Sequence, residues 1–152
     1  LFADVDVIAG VATGGIPQGV LVAQDLGKPF VYVRPSEKAH GLQNKIEGDI
    51  KEGQTVVVIE DLVSTGKSSL QAVEALRANG CQVKGMAAIF TYNLDVAKKA
   101  FEDAGVSLST ITDYHTLIDL AAEENFIRAE DLDSLSEWRK NPEEWSEKRM
   151  NG

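Results

Sequence analysis

The chain has 152 residues, 43% of them hydrophobic and 26% charged, which suits one α/β domain with a single sizeable core. Its formal charge of −9 argues against a nucleic-acid or membrane-surface ligand, which needs a basic face, and its one cysteine, Cys81, excludes an internal disulfide and a cysteine-rich zinc site. A reducing cytoplasm is the expected location, since no basic-then-apolar leader opens the chain and its apolar runs are strand-sized.

Residues 5–9 (VDVIA) read as a buried strand that stops at Gly10 in a glycine-rich turn. A helix is expected over 16–26, with Pro17 in its first turn and Gly27 past its end. Residues 30–33 form the second strand. From 34 to 53 no apolar period is sustained and charged and small residues dominate, so this stretch is expected to be a long loop or hairpin, a functional lid or disordered, and too polar to be packed. The β-branched run 55–59 (TVVVI) is the most buried strand, followed by a turn over 61–66 and a helix over 67–78 closed by Asn79 and Gly80. A strand over 83–90, a helix over 95–104 and a strand over 106–111 follow. Helices over 114–124 and 130–139 and a short one near 142–148 complete the chain. Strands alternating with helices predict right-handed βαβ units in an open, mainly parallel twisted sheet with helices on both faces. One domain, 1–152, is expected, with the helices from about 114 onward packed on it. Trp138 and Trp145, with Leu132 and Leu135, are expected to make that packing.

The chemistry is concentrated in TVVVIEDLVSTGKSS, residues 55–69. An apolar strand delivers two adjacent carboxylates, Glu60 and Asp61, to the end of a sheet where α/β folds bind ligands. The hydroxyls of Ser64, Thr65 and Ser68, with free N–H groups at the start of the helix, make a phosphate cradle. The acids suit what lies beside a phosphate: vicinal hydroxyls, or waters on a divalent cation. A Walker A loop would need glycine where Asp61 stands, and an aspartate there repels phosphate. Gly10, Gly14 and Gly15 lack dinucleotide-binding spacing. A helix merely capped by Ser64 or Thr65 accounts for the hydroxyls but not for the paired acids.

Residues 59–68 resemble the motif with which type I phosphoribosyltransferases bind phosphoribosyl pyrophosphate (PRPP). The resemblance implies that fold, with Glu60 and Asp61 beside the ribose hydroxyls and Leu62, Val63, Ser64, Thr65, Gly66, Lys67 and Ser68 around the 5-phosphate. Residues 32–41 (YVRPSEKAHG) are similar to the loop of the orotate branch, in which Arg34, Lys38 and His40 engage pyrophosphate from a mobile lid. Cations on a closing loop neutralise pyrophosphate and exclude water, which gives the spacing a physical sense. The small-residue loop 11–19, with Thr13, Gly14 and Gly15, resembles the family's pyrophosphate loop.

The implied reaction is Mg2+-dependent transfer of a 5-phosphoribosyl group from PRPP to orotate, with Lys38, His40 and Asp61 as catalytic residues and Ser64 meeting orotate. The metal is expected to be held through PRPP and water, with no direct protein ligand. A homodimer whose lid reaches the neighbouring site is also implied. Pro35 replaces a lysine common in relatives, and Thr91, Tyr92 and Asn93 stand where many carry an orotate-contacting arginine. The family's N-terminal hood has no counterpart in 1–152, so a removed N-terminal segment is expected. Two other readings stand beside this one: transfer to another base, and a noncatalytic PRPP sensor of the same fold. His115 reads as a capping or surface residue and Cys81 as a plain strand residue.

Overall fold

The computed structural model describes residue 2 and residues 4–34 and 45–150. Six strands form one sheet: β1 Val7–Val11, β2 Phe30–Val33, β3 Ile46–Glu47, β4 Thr55–Val63, β5 Gln82–Thr91 and β6 Leu108–Asp113. Their order is β3-β2-β1-β4-β5-β6, parallel throughout except for the antiparallel β2–β3 pair. Six α-helices accompany them: α1 Gly15–Leu26, α2 Lys67–Ala78, α3 Asp95–Asp103, α4 Tyr114–Glu123, α5 Leu132–Lys140 and α6 Pro142–Met150, with a 3₁₀ turn at Ala129–Asp131 before α5.

The two-residue period of the strands sorts the core onto two faces. Val7, Ala9, Val11, Val56, Val58 and Val63 pack with Val73 and Leu76 of α2 and with Ala97 and Phe101 of α3. Ile8, Val57 and Ile59 point the other way, onto Ala23 of α1. The expected open, mainly parallel sheet with helices on both faces is therefore the observed one. Each fully buried valine or leucine adds roughly 1.5–3 kcal/mol of apolar burial, which is why the β1–β4 centre is the firmest part of the sheet.

Three expectations need correction. The expected turn over 61–66 begins later, because β4 runs on to Val63: beyond Ile59 it outruns β1 but still pairs with β5, Leu62 opposite Phe90 and Val63 opposite Thr91. The turn proper is Ser64–Thr65–Gly66, with Gly66 left-handed at φ 80°. The second correction concerns residues 34–53, where Ile46 and Glu47 form a short strand on β2 and Arg34 N–H donates to the Lys45 carbonyl at 2.8 Å. A hairpin is one of the two forms expected; what differs is its packing, since Ile46 is 3% exposed and belongs to the core. The third is the tryptophans. Trp138 does pack on the domain, with its ring 5.4 Å from those of Tyr92 and Tyr114. Trp145 instead joins α6 to α5, through Nε1–H to Ser134 Oγ at 3.2 Å and a stacked Arg149 guanidinium at 4.3 Å.

Asp6, to which the sequence reading assigned no role, ties the chain before β1 to the start of β4: its carboxylate accepts both the Thr55 N–H and the Thr55 hydroxyl at 2.8 Å. The backbone N–H of Thr55 holds the Asp6 carboxyl below the usual carboxylate range.

Candidate active site at the strand crossover

The chain crosses from one side of β1 to the other between β2 and β4, and the carboxyl ends of β1 and β4 meet at that switch point. The loop after β1, Ala12 to Gly14, and the turn after β4, Ser64 to Gly66, therefore lie where an open α/β sheet holds a ligand. Two helix N-termini open onto the same place. Gly14 stands before α1 and Gly66 before α2, and neither helix has a side-chain cap. The hydroxyls of Ser64 and Thr65 are exposed and do not cap α2, so the capping explanation of these residues fails. Free N–H groups at a helix start favour an anion.

Two glycines mark close approaches here, and the second also has a positive φ that favours glycine. A Cβ on Gly14 would lie 2.0 Å from Asp61 Oδ2, so the β1 loop runs directly against the Asp61 carboxylate. Gly66 is left-handed, and a Cβ on it would meet the Phe101 ring at 2.8 Å. Gly15 is buried as the first residue of α1, packed over the Ile59 carbonyl, and Thr13 is exposed beside it. Thus the β1 loop that carries Thr13, Gly14 and Gly15 is brought against Asp61.

The two acids are not equivalent. Asp61 is half-buried, and its Oδ1 accepts from Leu62 N–H at 2.8 Å. Glu60 is 5% exposed and faces inward, accepting from Asp61 N–H at 3.1 Å and from the hydroxyl of Ser69, itself 1% exposed, at 3.0 Å. Burial pushes the Glu60 carboxyl up to about 7; the Asp61 side chain adds to that rise, and the Ser69 hydrogen bond opposes it. Of the remaining motif residues, Leu62 is partly exposed and Val63 fully buried. Lys67 and Ser68 are exposed in the first turn of α2.

Arg34 ends β2, and its Nη1 donates to Glu47 Oε1 of β3 at 3.1 Å. It lines a small recess with Ala12, Lys45 and Ser68, so the β2 end does join the β1 loop and the α2 start. Lys38, His40 and Pro35 lie outside the described residues, as does most of the expected lid. His115 is exposed on α4, whose N-cap is Asp113, and Cys81 is a buried free thiol whose pKa burial raises.

Across a cleft of about 480 Å³, Ser64 and Thr65 face Asp95 and Val96 at the start of α3 and Lys140 to Glu143 at the α5–α6 junction. Sequence reasoning missed this wall, and it missed Ser69 and Glu47. Ser69 did leave a signal: it is a polar residue on the core-facing stripe of α2 that also carries Ala72, Val73 and Leu76. Glu47 left none, because its role depends on the β2–β3 pairing.

The topology, with a glycine loop set against an acid at the switch point and a hydroxyl turn beside it, defines a phosphoribosyltransferase domain. Residues 2–124 match the family model for the phosphoribosyl transferase domain. Within that class the chain belongs to the orotate phosphoribosyltransferase family. It is 56% identical over 144 residues, 95% of its length, to the orotate phosphoribosyltransferase of Bacteroides fragilis, of which it covers 68%. The crystal structure of the Aeropyrum pernix orotate phosphoribosyltransferase superposes with a TM-score of 0.70 at 35% identity, covering 77% of this chain and 65% of that one. The UMP synthase of Leishmania donovani gives a TM-score of 0.74 at 28% identity, covering 90% of this chain and 29% of that one. The chain thus spans about two thirds of the length of the curated relatives it matches.

Proposed function

We propose that the protein is an orotate phosphoribosyltransferase, transferring the 5-phosphoribosyl group of PRPP to a ring nitrogen of orotate with release of pyrophosphate, a step toward UMP. The observation that carries this reading is the abutment of Gly14 on the Asp61 carboxylate beside an uncapped, hydroxyl-rich helix start. It sets an anion site and a hydroxyl-binding acid side by side, as one ligand with a phosphate and a ribose requires. The family relationship supports orotate as the acceptor base.

In this reading Ser64, Thr65, Gly66, Lys67 and Ser68 hold the 5-phosphate, and the half-exposed Asp61 takes the ribose hydroxyls. Glu60 backs Asp61 from inside through its backbone N–H. Thr13, Gly14 and Gly15 receive pyrophosphate, with Arg34, Lys38 and His40 closing over it. The anomeric carbon becomes cationic as pyrophosphate leaves, so the protein positions the two reactants and excludes water, with no covalent nucleophile.

Mg2+ belongs to the same proposal. Among the described residues no group of three or more His, Cys, Asp or Glu is gathered for a cation. Asp61, half-exposed beside the β1 loop, is the residue that would help to hold an ion brought in with pyrophosphate, where the ion would neutralise charge on the leaving group. A cytoplasmic homodimer, with Lys38 and His40 acting in the neighbouring site, completes the proposal. No helix among the described residues is long and apolar enough to cross a membrane.

The test is Asp61→Asn, with formation of orotidine 5′-phosphate followed by absorbance and PRPP affinity measured by titration. PRPP binding is expected to weaken roughly tenfold or more, the scale of losing a charged hydrogen-bond acceptor. Unchanged PRPP affinity would refute the assignment, and turnover of uracil or hypoxanthine in preference to orotate would change the base.

A further inference from the structure

We propose that Arg139, on helix α5 and outside the 2–124 stretch matched by the family model, is a positioning residue that braces the phosphate turn through the loop after β5. The inference rests on the proposed PRPP site and extends it to a part of the chain to which no role in that site has been given.

The brace is a chain of hydrogen bonds with one residue per link. Arg139 Nη1 donates to the Asn93 carbonyl at 2.6 Å, a short charge-assisted contact. Asn93 is left-handed, with φ 53°, a conformation that asparagine adopts more readily than other non-glycine residues. Its own N–H donates to Thr91 Oγ1 at 3.1 Å, and its side-chain amide donates to Asp113 Oδ2 at 2.9 Å. The hydroxyl of Thr91, 3% exposed, donates to the Val63 carbonyl at 3.2 Å, and Tyr92 N–H donates to the same carbonyl at 3.2 Å. Val63 is the residue immediately before Ser64. The end of β4 that launches the proposed phosphate turn is therefore held by Thr91, at the end of β5, and by Tyr92 after it; Thr91 is oriented by Asn93, and Asn93 is held by Arg139.

Helix α5 is placed for this task by contacts that do not involve Arg139. The Trp138 ring lies against Tyr92 and Tyr114, and Tyr114 Oη donates to the Leu135 carbonyl at 3.1 Å. The next residue, Lys140, lines the cleft that Ser64 and Thr65 face, so a shift of α5 reshapes that cleft directly. A small displacement of a phosphate-holding turn is enough to lose most of its affinity.

The experiment measures PRPP affinity with Mg2+ by calorimetry, without orotate, together with thermal melting, for Arg139→Ala, Arg139→Lys, Thr91→Val and Asp61→Asn in the whole protein. Arg139→Ala is expected to weaken PRPP about tenfold, the usual scale for a lost charged hydrogen bond. Arg139→Lys keeps a donor within reach of the Asn93 carbonyl and is expected to recover most of the affinity. Thr91→Val cuts the relay at its other end with α5 untouched, and is expected to weaken PRPP as Arg139→Ala does, with the double variant no worse than either alone. A merely structural arginine would lower the melting temperature in Arg139→Ala and leave PRPP affinity as in the parent, which overturns the proposal. Additive losses in the double variant, or a lysine no better than alanine, overturn it as well. A loss in Asp61→Asn with none in Arg139→Ala or Thr91→Val removes the brace alone. No loss in Asp61→Asn removes the PRPP assignment and the brace with it.

Discussion

The stretch from β1 to β6 and the two last helices, α5 and α6, are held in opposite ways. In the first, Val7, Val56, Val58, Leu76 and Met86 are fully buried, and stability comes from apolar area that is indifferent to direction. In the second no residue is buried, and attachment rests on one tryptophan, one tyrosine hydroxyl and one arginine. Burial resists small displacements because many contacts share the load. A few directional contacts fix a geometry sharply but are lost one at a time. The division suits a site whose acids and anion-binding turn grow from the sheet, while one wall of its cleft is added from the C-terminal side.

Three substitutions probe that contrast. The largest effect is expected in the sheet-bound half, where Leu76→Ala empties a fully buried position between α2 and β4. Urea unfolding is expected to show a loss of about 2–5 kcal/mol. Trp138→Ala removes the half-exposed ring that joins α5 to Tyr92 and Tyr114, with a smaller expected cost of about 1–3 kcal/mol. It should also release the C-terminal helices for proteolysis before the sheet unfolds. If the two halves instead melted as one unit at a much lower temperature, the division drawn above would be wrong.

The smallest effect concerns pH and lies at the site itself. Glu60 has its folded pKa raised to about 7, chiefly by burial, from an ordinary 4.5. Below pH 4.5 the carboxyl is protonated in both states and its contribution to stability is complete. Between 4.5 and 7 the unfolded chain ionises first, so that contribution declines as pH rises and is gone above 7. Glu60→Gln mimics the neutral form and can still bond Ser69 and the Asp61 N–H. It is expected to match the parent in melting temperature near pH 4.5 and to exceed it by roughly 2–5 °C at pH 8. Parallel melting curves across that range would mean that Glu60 keeps a normal pKa.

Much of the site was legible along the chain because its parts are contiguous. The apolar run into Glu60 and Asp61, and Ser64, Thr65 and Gly66 after it, form one strand-turn-helix unit. The glycines at 14 and 15 needed only their place after a strand. What could not be read was the difference between neighbours. Glu60 and Asp61 look alike in sequence, yet β4 continues past Ile59, which turns Glu60 onto Ser69 inside and leaves Asp61 beside Gly14. The excursion after Arg34 could be read only as a loop or hairpin because a two-residue strand is too short to show a period, and only its pairing with β2 reveals Glu47 beside Arg34.

Sequence by itself determined the class of fold, the hydroxyl-rich turn after β4 and the family, because strand periodicity and local turn chemistry act over a few residues and are written in order. Tertiary structure alone decided which acid stands half-exposed beside Gly14 and which is buried on Ser69. It also brought Arg139 to Asn93, 46 residues apart in the chain. Burial and long-range hydrogen bonds depend on where the backbone returns, and no local pattern encodes that return.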